Sequence, residues 1–304
     1  MASQPTIYYY EQTEMVCVTC GHAVMYTGQG VCSRCLTPME LTRSVSLREN
    51  PQKFMLVLGQ SGAGKTVFLG MLLDMLCRGH GDLRGLANDA FSVSIQQQTI
   101  TALEQQQFPE KTPSEADDWK WLHCDVHKTS NPKKSVDIIT PDLAGEAIAQ
   151  EIESPGTFPT IRNAMRNANG ILLLFDSEKV RDQGRGEDLF GIKAVSYLAG
   201  LQLEEQRRRV KKLKVPLSIV FTKADCCSDA QQDPRRFAQE HMPGMYQMCE
   251  KKFSHFEFFA ASVVGSKATL VGNNFAQKEV ALHIQPTGII EPVAWVFNQM
   301  GKRA

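Results

Sequence analysis

Nothing in this chain suits a membrane span, a polyanion-binding protein or a disulfide framework. No apolar run in its 304 residues approaches the ~20 needed to cross a bilayer. The N-terminus has no basic segment followed by an apolar one, and neither Ala2 nor the terminal Gly-Lys-Arg-Ala fits a lipidation signal. Lys+Arg and Asp+Glu both number 33, so no net field draws the chain to nucleic acid or an anionic surface, and any such contact would be a local patch. The nine cysteines are an odd number with four in a regular array, which points to metal ligation and free thiols instead of disulfides. These absences predict a cytoplasmic protein with no membrane contact. At 42% hydrophobic residues the chain can bury an ordinary core, enough for one large α/β domain and a small appendage.

What is present centres on Gly59-Gln60-Ser61-Gly62-Ala63-Gly64-Lys65-Thr66, a match to G-x-x-x-x-G-K-[ST]. Phe54 to Leu58 ahead of it is an apolar run of strand length, and Val67 to Arg78 behind it is helix-patterned with Gly79 to stop it. Strand, glycine-rich loop and helix together make a phosphate cradle. The loop must wrap an anion closely, aiming backbone N–H groups and a helix N-terminus at it, and a Cβ would obstruct the approach. Lys65 supplies a point charge for the β- and γ-phosphates, and the Thr66 hydroxyl can ligate Mg²⁺.

Residues 1–50 carry Cys17-Val18-Thr19-Cys20 and Cys32-Ser33-Arg34-Cys35, two C-x-x-C pairs eleven residues apart. Each pair can form a knuckle offering two thiolates, and four thiolates in a tetrahedron suit Zn²⁺. Gly21, Gly28 and Gly30 between them fit short ribbon strands joined by turns. So small a segment cannot bury enough apolar surface to fold alone, and the metal would supply the missing stability. A redox pair or an iron–sulfur site is the competing reading. His22 beside Cys20 is expected to be exposed or to touch the cysteines from outside. Leu36 to Pro51 reads as exit and linker.

From His80 to Asp118 the chain is polar. Within it Ala90 to Gln107 is predicted as a helix, with Phe91, Val93, Ile95, Ile100 and Leu103 inward and its glutamines in water. A loop, Phe108 to Pro113, precedes a strand at Trp119 to Val126. A further strand at Val136 to Thr140 runs into Asp142-Leu143-Ala144-Gly145-Glu146. An aspartate at the end of a buried strand can hold Mg²⁺ through water, and a glycine three residues on can give its N–H to a γ-phosphate. Arg162 to Ala168 is predicted as a short helix, Ile171 to Asp176 as a buried strand, and Asp188 to Lys214 as a long helix. Its basic end, Arg207 to Lys214, reads as a wet face or else as a patch for nucleic acid or a protein partner.

The strand Leu217 to Phe221 ends in Thr222-Lys223-Ala224-Asp225. A carboxylate there can accept from N1–H and the 2-amino group of guanine, a donor pair adenine lacks. The Lys223 stem can lie over the base, and Thr222 can brace the loop. Phe256 to Ser262 is the last apolar strand, where small Ala261 and Ser262 would let backbone N–H groups approach guanine O6. Residues 265 to 288 carry no motif beyond a short strand at Val280 to Ile284. Ile289 to Met300 is a helix closing one side of the sheet.

The three phosphate- and base-directed motifs, in this order and each after an apolar strand, resemble the translation-factor-related, Ras-like GTPases over residues 51 to 304. The cysteine ribbon, the passage ending in Phe108-Pro109-Glu110-Lys111-Thr112-Pro113 and the C-terminal helix are similar to the bacterial conflict-associated double-GTPases. The resemblance implies an α/β fold with a doubly wound, mostly parallel sheet, a nucleotide at the strand C-termini, GTP or GDP with Mg²⁺ as ligands, and two switch segments. Carried over by position, Gly59 to Thr66 hold phosphate and metal, Asp142 and Gly145 sense the γ-phosphate, and Lys223 with Asp225 selects guanine. Thr112 is the first choice for the switch threonine, with Thr99, Thr101 and Thr129 open. Glu146 stands where such proteins often have a glutamine that orients water, and its negative charge beside a γ-phosphate implies slow hydrolysis that a protein regulator or a second copy accelerates. The alternative is a GTP-dependent adaptor with negligible turnover, docking through the ribbon. A P-loop kinase or ATPase would not need Thr222 to Asp225.

Overall fold

The computed structural model describes residues 13–26, 30–48, 52–110, 112, 119–206, 211–271 and 277–301. It opens with an antiparallel pair, β1 (Thr13–Val16) and β2 (Ala23–Tyr26), followed by α1 (Met39–Ser46). Next come β3 (Gln52–Gly59), α2 (Lys65–Arg78), β4 (Leu83–Ala87), α3 (Ala90–Glu104), β5 (Lys120–Lys128), β6 (Asn131–Asp142), α4 (Gly145–Glu153) and α5 (Pro159–Asn167). The second half runs β7 (Gly170–Asp176), α6 (Ser177–Gln206), β8 (Leu217–Thr222), α7 (Ser228–Gln232), α8 (Pro234–His241), α9 (Pro243–Lys252) and β9 (Phe256–Ala260). A hairpin of β10 (Ser262–Val271) and β11 (Gln277–Thr287) precedes α10 (Ile290–Gly301).

Seven strands form one sheet in the order β4-β5-β6-β3-β7-β8-β9. β6, β3, β7, β8 and β9 are mutually parallel, and β5 runs antiparallel to both its neighbours. The parallel strands are buried on both faces, as helices on either side require. Alternate residues of β3 and β7 divide between the two cores. Phe54, Leu56, Leu58, Leu173 and Phe175 face α4, α5 and α6, while Met55, Val57, Leu172 and Leu174 face α2 and α10. Because β6 and β7 flank β3 on opposite sides, the chain reverses its winding there. The strand C-termini at that reversal leave the crevice in which such sheets bind ligands.

The ribbon sits directly on this domain. Leu41 and Val45 of α1 belong to the same buried cluster as Phe54. The Thr160 hydroxyl donates to the Cys35 carbonyl at 2.8 Å, and the Asn167 amide to the Thr19 carbonyl at 2.7 Å, so α5 grips both knuckles. Arg48, just after α1, spans Asp125 of β5 and Asp137 of β6, each at 2.7 Å.

Several local expectations need revision. The polar passage after His80 holds β4, an edge strand whose short Leu-Arg-Gly-Leu-Ala run lacks the alternation that would advertise it. Phe91 and Val93 are exposed, because α3 turns Ile95, Thr99 and Leu103 inward instead. The predicted helix over 188–214 begins earlier, with a first segment from Ser177 that kinks at Gln183, and is described as far as Gln206. Lys211–Lys214 are not helical, since Leu213 bridges to Phe253, and the basic residues 207–210 lie outside the described residues. Residues 265–288 are mostly strand, paired in the β10–β11 hairpin.

Candidate functional site

The glycine-rich loop from Gly59 to Thr66 joins β3 to α2 across the crevice. Gly62 and Gly64 have φ of 82° and 75°, a left-handed backbone that side chains resist, and the helix begins at Lys65 immediately after. The Lys65 side chain is buried and folds back over the loop, donating to the carbonyls of Gly59 (3.0 Å) and Gln60 (3.2 Å). Burial pushes its ammonium down to about 8, with Asp142 opposing the shift and Lys179 adding to it.

Thr66, Thr112 and Asp142 come together, although 76 residues of sequence separate the first from the last. The Thr66 hydroxyl donates to both Asp142 oxygens (3.2 and 3.0 Å) and lies 2.9 Å from the Thr112 hydroxyl, which donates to Asp142 Oδ2 at 3.1 Å. Desolvation raises the Asp142 carboxyl, which the hydroxyls and Lys65 offset in part. Two hydroxyls and a carboxylate are the hard oxygen donors Mg²⁺ prefers, and a buried carboxylate with a raised pKa is stabilised by such a cation. Of the other threonines considered, Thr99 is buried under α2, its hydroxyl where a Gly70 side chain would be, and Thr129 bonds the Asp82 carbonyl.

Gly145 opens α4 hard against the loop. A Cβ there would stand 2.3 Å from Ser61 N and 2.4 Å from the Gln60 carbonyl carbon. The Ser61 hydroxyl also donates to Glu146 Oε1 at 3.3 Å, tying the loop to α4 from a second side.

At the far end, Thr222 ends β8 and its hydroxyl donates to the carbonyls of Ala63 (3.0 Å) and Phe175 (3.1 Å). Lys223 follows with φ of 55° and pairs with Asp176. The Asp225 carboxylate is held from the Ser262 hydroxyl at 2.6 Å and from the Cys226 thiol at 3.1 Å. The Ala261 N–H is engaged by the Phe221 carbonyl at 2.8 Å, so Ala261 serves as wall rather than donor. A single cavity of about 260 Å³ joins the loop, Thr112, Gly145 and Glu146 to Lys223, Asp225, Ala261 and Ser262, with Phe108 and Ile289 among its apolar walls.

Arg162 and Arg166 do not line this cavity. Sequence reasoning missed Asp176, which looks like an ordinary polar strand end but is buried and paired with Lys223, and Lys179, whose Nζ donates to the Ser61 carbonyl at 3.1 Å. It also missed Phe108, the one aromatic in its loop.

A second cluster lies in the ribbon. The Sγ atoms of Cys17, Cys20, Cys32 and Cys35 all lie within 4.8 Å of one another, with Cys17–Cys35 at 3.5 Å and Cys20–Cys32 at 3.7 Å. Zinc–sulfur bonds of ~2.3 Å in a tetrahedron require sulfurs ~3.8 Å apart. The knuckles match: Gly21 N donates to Cys17 O and Leu36 N to Cys32 O, both at 2.9 Å, and Gly21 and Leu36 are both left-handed. The bond between Cys17 and Cys35 favours the thiolate at Cys17 and the thiol at Cys35, and burial pushes the Cys20 thiol up to about 11, so the site without an ion does not hold four thiolates. His22 is exposed.

Residues 56–189 match the family model Double-GTPase 1. Over that stretch the P-loop domain is similar to the double-GTPases. The match starts in β3 and ends in α6, taking in the loop, Thr112, Asp142 and Gly145. Among solved structures, the chain is similar to the Arl6 BBS3 small GTPase of Trypanosoma brucei with bound GppNp, at 12% identity and a TM-score of 0.42, over 83% of this chain and 99% of that one. It is also similar to a candidate nucleolar GTP-binding protein 1 of Plasmodium falciparum, at 13% identity and 0.38, over 85% and 90%. No curated protein matches. No helix among the described residues is long and apolar enough to cross a membrane.

Proposed function

We propose that this double-GTPase-type chain binds GTP with Mg²⁺, hydrolyses it slowly, and presents a nucleotide-dependent surface to a protein partner in the cytoplasm. The observation that carries the reading is the convergence of Thr66, Thr112 and Asp142 at one end of a cavity that has Lys223 and Asp225 at the other. Thr66 and Thr112 would hold Mg²⁺ directly and Asp142 through water; the ion would neutralise charge on the phosphates. The P-loop N–H groups and Lys65 bind the phosphate chain, and Gly145, pressed on Ser61, is placed to feel a γ-phosphate. Asp225, held by Ser262, accepts from the guanine edge while Lys223, held by Asp176, lies along the base.

Hydrolysis needs a water aligned on the γ-phosphate. Glu146 lines the cavity beside Gly145, and its bond to Ser61 holds a carboxylate over the loop, where it would oppose the developing charge. That same contact favours a second reading, a GTP-dependent adaptor with negligible turnover. The four sulfurs would hold one Zn²⁺ as a structural ion, and the ribbon would offer a docking face. Self-association of two copies is one way to supply the missing acceleration, and a role in bacterial conflict is what the resemblance to the double-GTPases would imply.

The test is nucleotide choice. Wild-type protein should carry GDP or GTP after purification and prefer GTP to ATP by at least about a hundredfold. Asp225→Asn should lose about tenfold to a hundredfold in GTP affinity, the worth of two charge-assisted hydrogen bonds, and gain xanthosine triphosphate. Preference for ATP, or unchanged GTP affinity in Asp225→Asn, would overturn the assignment.

A further inference from the structure

The first turn of α6 is organised around a buried carboxylate. Asp176 Oδ1 accepts from the backbone N–H of Glu178 (3.0 Å) and Lys179 (3.4 Å), and Oδ2 pairs with Lys223. The turn so fixed sends Lys179 across to the P-loop, where Nζ donates to the Ser61 carbonyl at 3.1 Å and stands 3.5 Å from where a Gly62 Cβ would be. A peptide group is planar and trans, so its C=O and N–H point in opposite directions. With the Ser61 carbonyl drawn outward to Lys179, the N–H of Gly62 is turned inward, toward the cavity that Ser61 and Gly62 line. This peptide sits at the γ-phosphate end, because Gly145 packs on Ser61 N and Glu146 takes the Ser61 hydroxyl.

We infer that Lys179 is a positioning residue for the phosphate site, holding the Ser61–Gly62 peptide with its N–H aimed at the terminal phosphate and polarising it with an ammonium charge from behind. A carbonyl that accepts a charged hydrogen bond makes the N–H of the same peptide a stronger donor, and a preorganised donor stabilises charge that grows on the terminal phosphoryl oxygens. This places a third cation, besides Lys65 and Lys223, within the nucleotide machinery, acting through the backbone. Its own anchor, Asp176, is shared with Lys223, so the base end and the γ-phosphate end of the cavity meet in one helical turn. The inference rests on the triphosphate reading above and deepens it.

The experiment uses the full chain with Lys179→Met and Lys179→Arg, measuring affinity for GDP and for the non-hydrolysable GppNp, single-turnover GTP hydrolysis, and the melting temperature without nucleotide. Lys179→Met should lose about tenfold more affinity for GppNp than for GDP, the scale of one donor to a charged acceptor. It should melt within about two degrees of wild type, and any hydrolysis should slow at least tenfold. Lys179→Arg should restore the GppNp-to-GDP ratio to within about threefold. Equal losses for the two nucleotides, or a Met variant that keeps the wild-type ratio, would overturn the role. Wild-type protein that binds neither nucleotide would overturn the triphosphate reading itself, before any variant is compared.

Discussion

At the residue scale, two positions in the loop's surroundings have consequences that can be measured directly. Gly145 is needed for want of space: its φ is ordinary, but any Cβ would collide with loop backbone that cannot rotate away. Gly145→Ala should therefore cost about 1–3 kcal/mol by overpacking, and lower nucleotide affinity more than Glu146→Ala does, in a fluorescent-nucleotide titration. Lys65 titrates near 8 in the ligand-free site and at 10.5 in an unfolded chain. Between those values the unfolded chain binds the extra proton, so the stability of the empty protein rises with pH across that window. A bound polyphosphate favours the charged lysine, so affinity should be flat below pH 8 and fall above it, by up to about tenfold per unit. Calorimetric titration with pyrophosphate from pH 7 to 9.5 checks this, and a flat profile to pH 9.5 would contradict it.

At the element scale, the β5–β6 pair is tied to the ribbon linker through one arginine. Asp137 is fully buried, receives Arg48 Nε at 2.7 Å, and has His123 Nε2 at 3.3 Å, while Arg48 also reaches Asp125 and Asn88. Removing one partner of a buried pair costs ~3–5 kcal/mol, and with Arg48 30% exposed the lower end applies. Arg48→Ala should thus destabilise by about 3 kcal/mol in urea, and adding Asp137→Asn should recover part of the loss. If the double variant is no better than the single, the ion pair is not the source. In the second knuckle, Leu36 occupies a left-handed position that Gly21 fills in the first. Leu36→Gly should raise stability or leave it within about 1 kcal/mol, because relief of backbone strain offsets the greater chain entropy of glycine.

At the scale of the whole molecule, the ribbon and the P-loop domain should not melt apart. The knuckle carbonyls of Thr19 and Cys35 are bonded to one helix, α5, and Leu41 and Val45 share the core with Phe54. A ribbon behaving as an independent bead would lose its metal without the rest responding. The docking instead predicts that a strong chelator, or Cys32→Ser, lowers the melting temperature of the entire chain by several degrees in one transition, with about one Zn²⁺ per chain in untreated protein. An unchanged nucleotide-bound transition after complete metal removal would show that α5 does not transmit the loss.

What the sequence determined by itself was whatever is written in short range. Gly59 to Thr66, the two C-x-x-C pairs and Thr222 to Asp225 are each contiguous, with local backbone geometry set by glycine and by the strand or helix on either side. The apolar runs of β3, β7 and β8 were equally plain, because burial on both faces removes polar residues. What only the tertiary structure decided were encounters between distant segments. Four threonines are candidates by sequence and only the fold sets Thr112 2.9 Å from Thr66, and nothing around Asp176 or Lys179 hints that they would meet Lys223 and Ser61. The same holds for β4, an edge strand whose partly exposed residues need no strong pattern, and for the β10–β11 hairpin, which pairs outside the seven-stranded sheet. A single carboxylate or lysine carries no periodicity, so its role exists only once the parallel sheet has brought the ends of β3, β6, β7 and β8 to one edge.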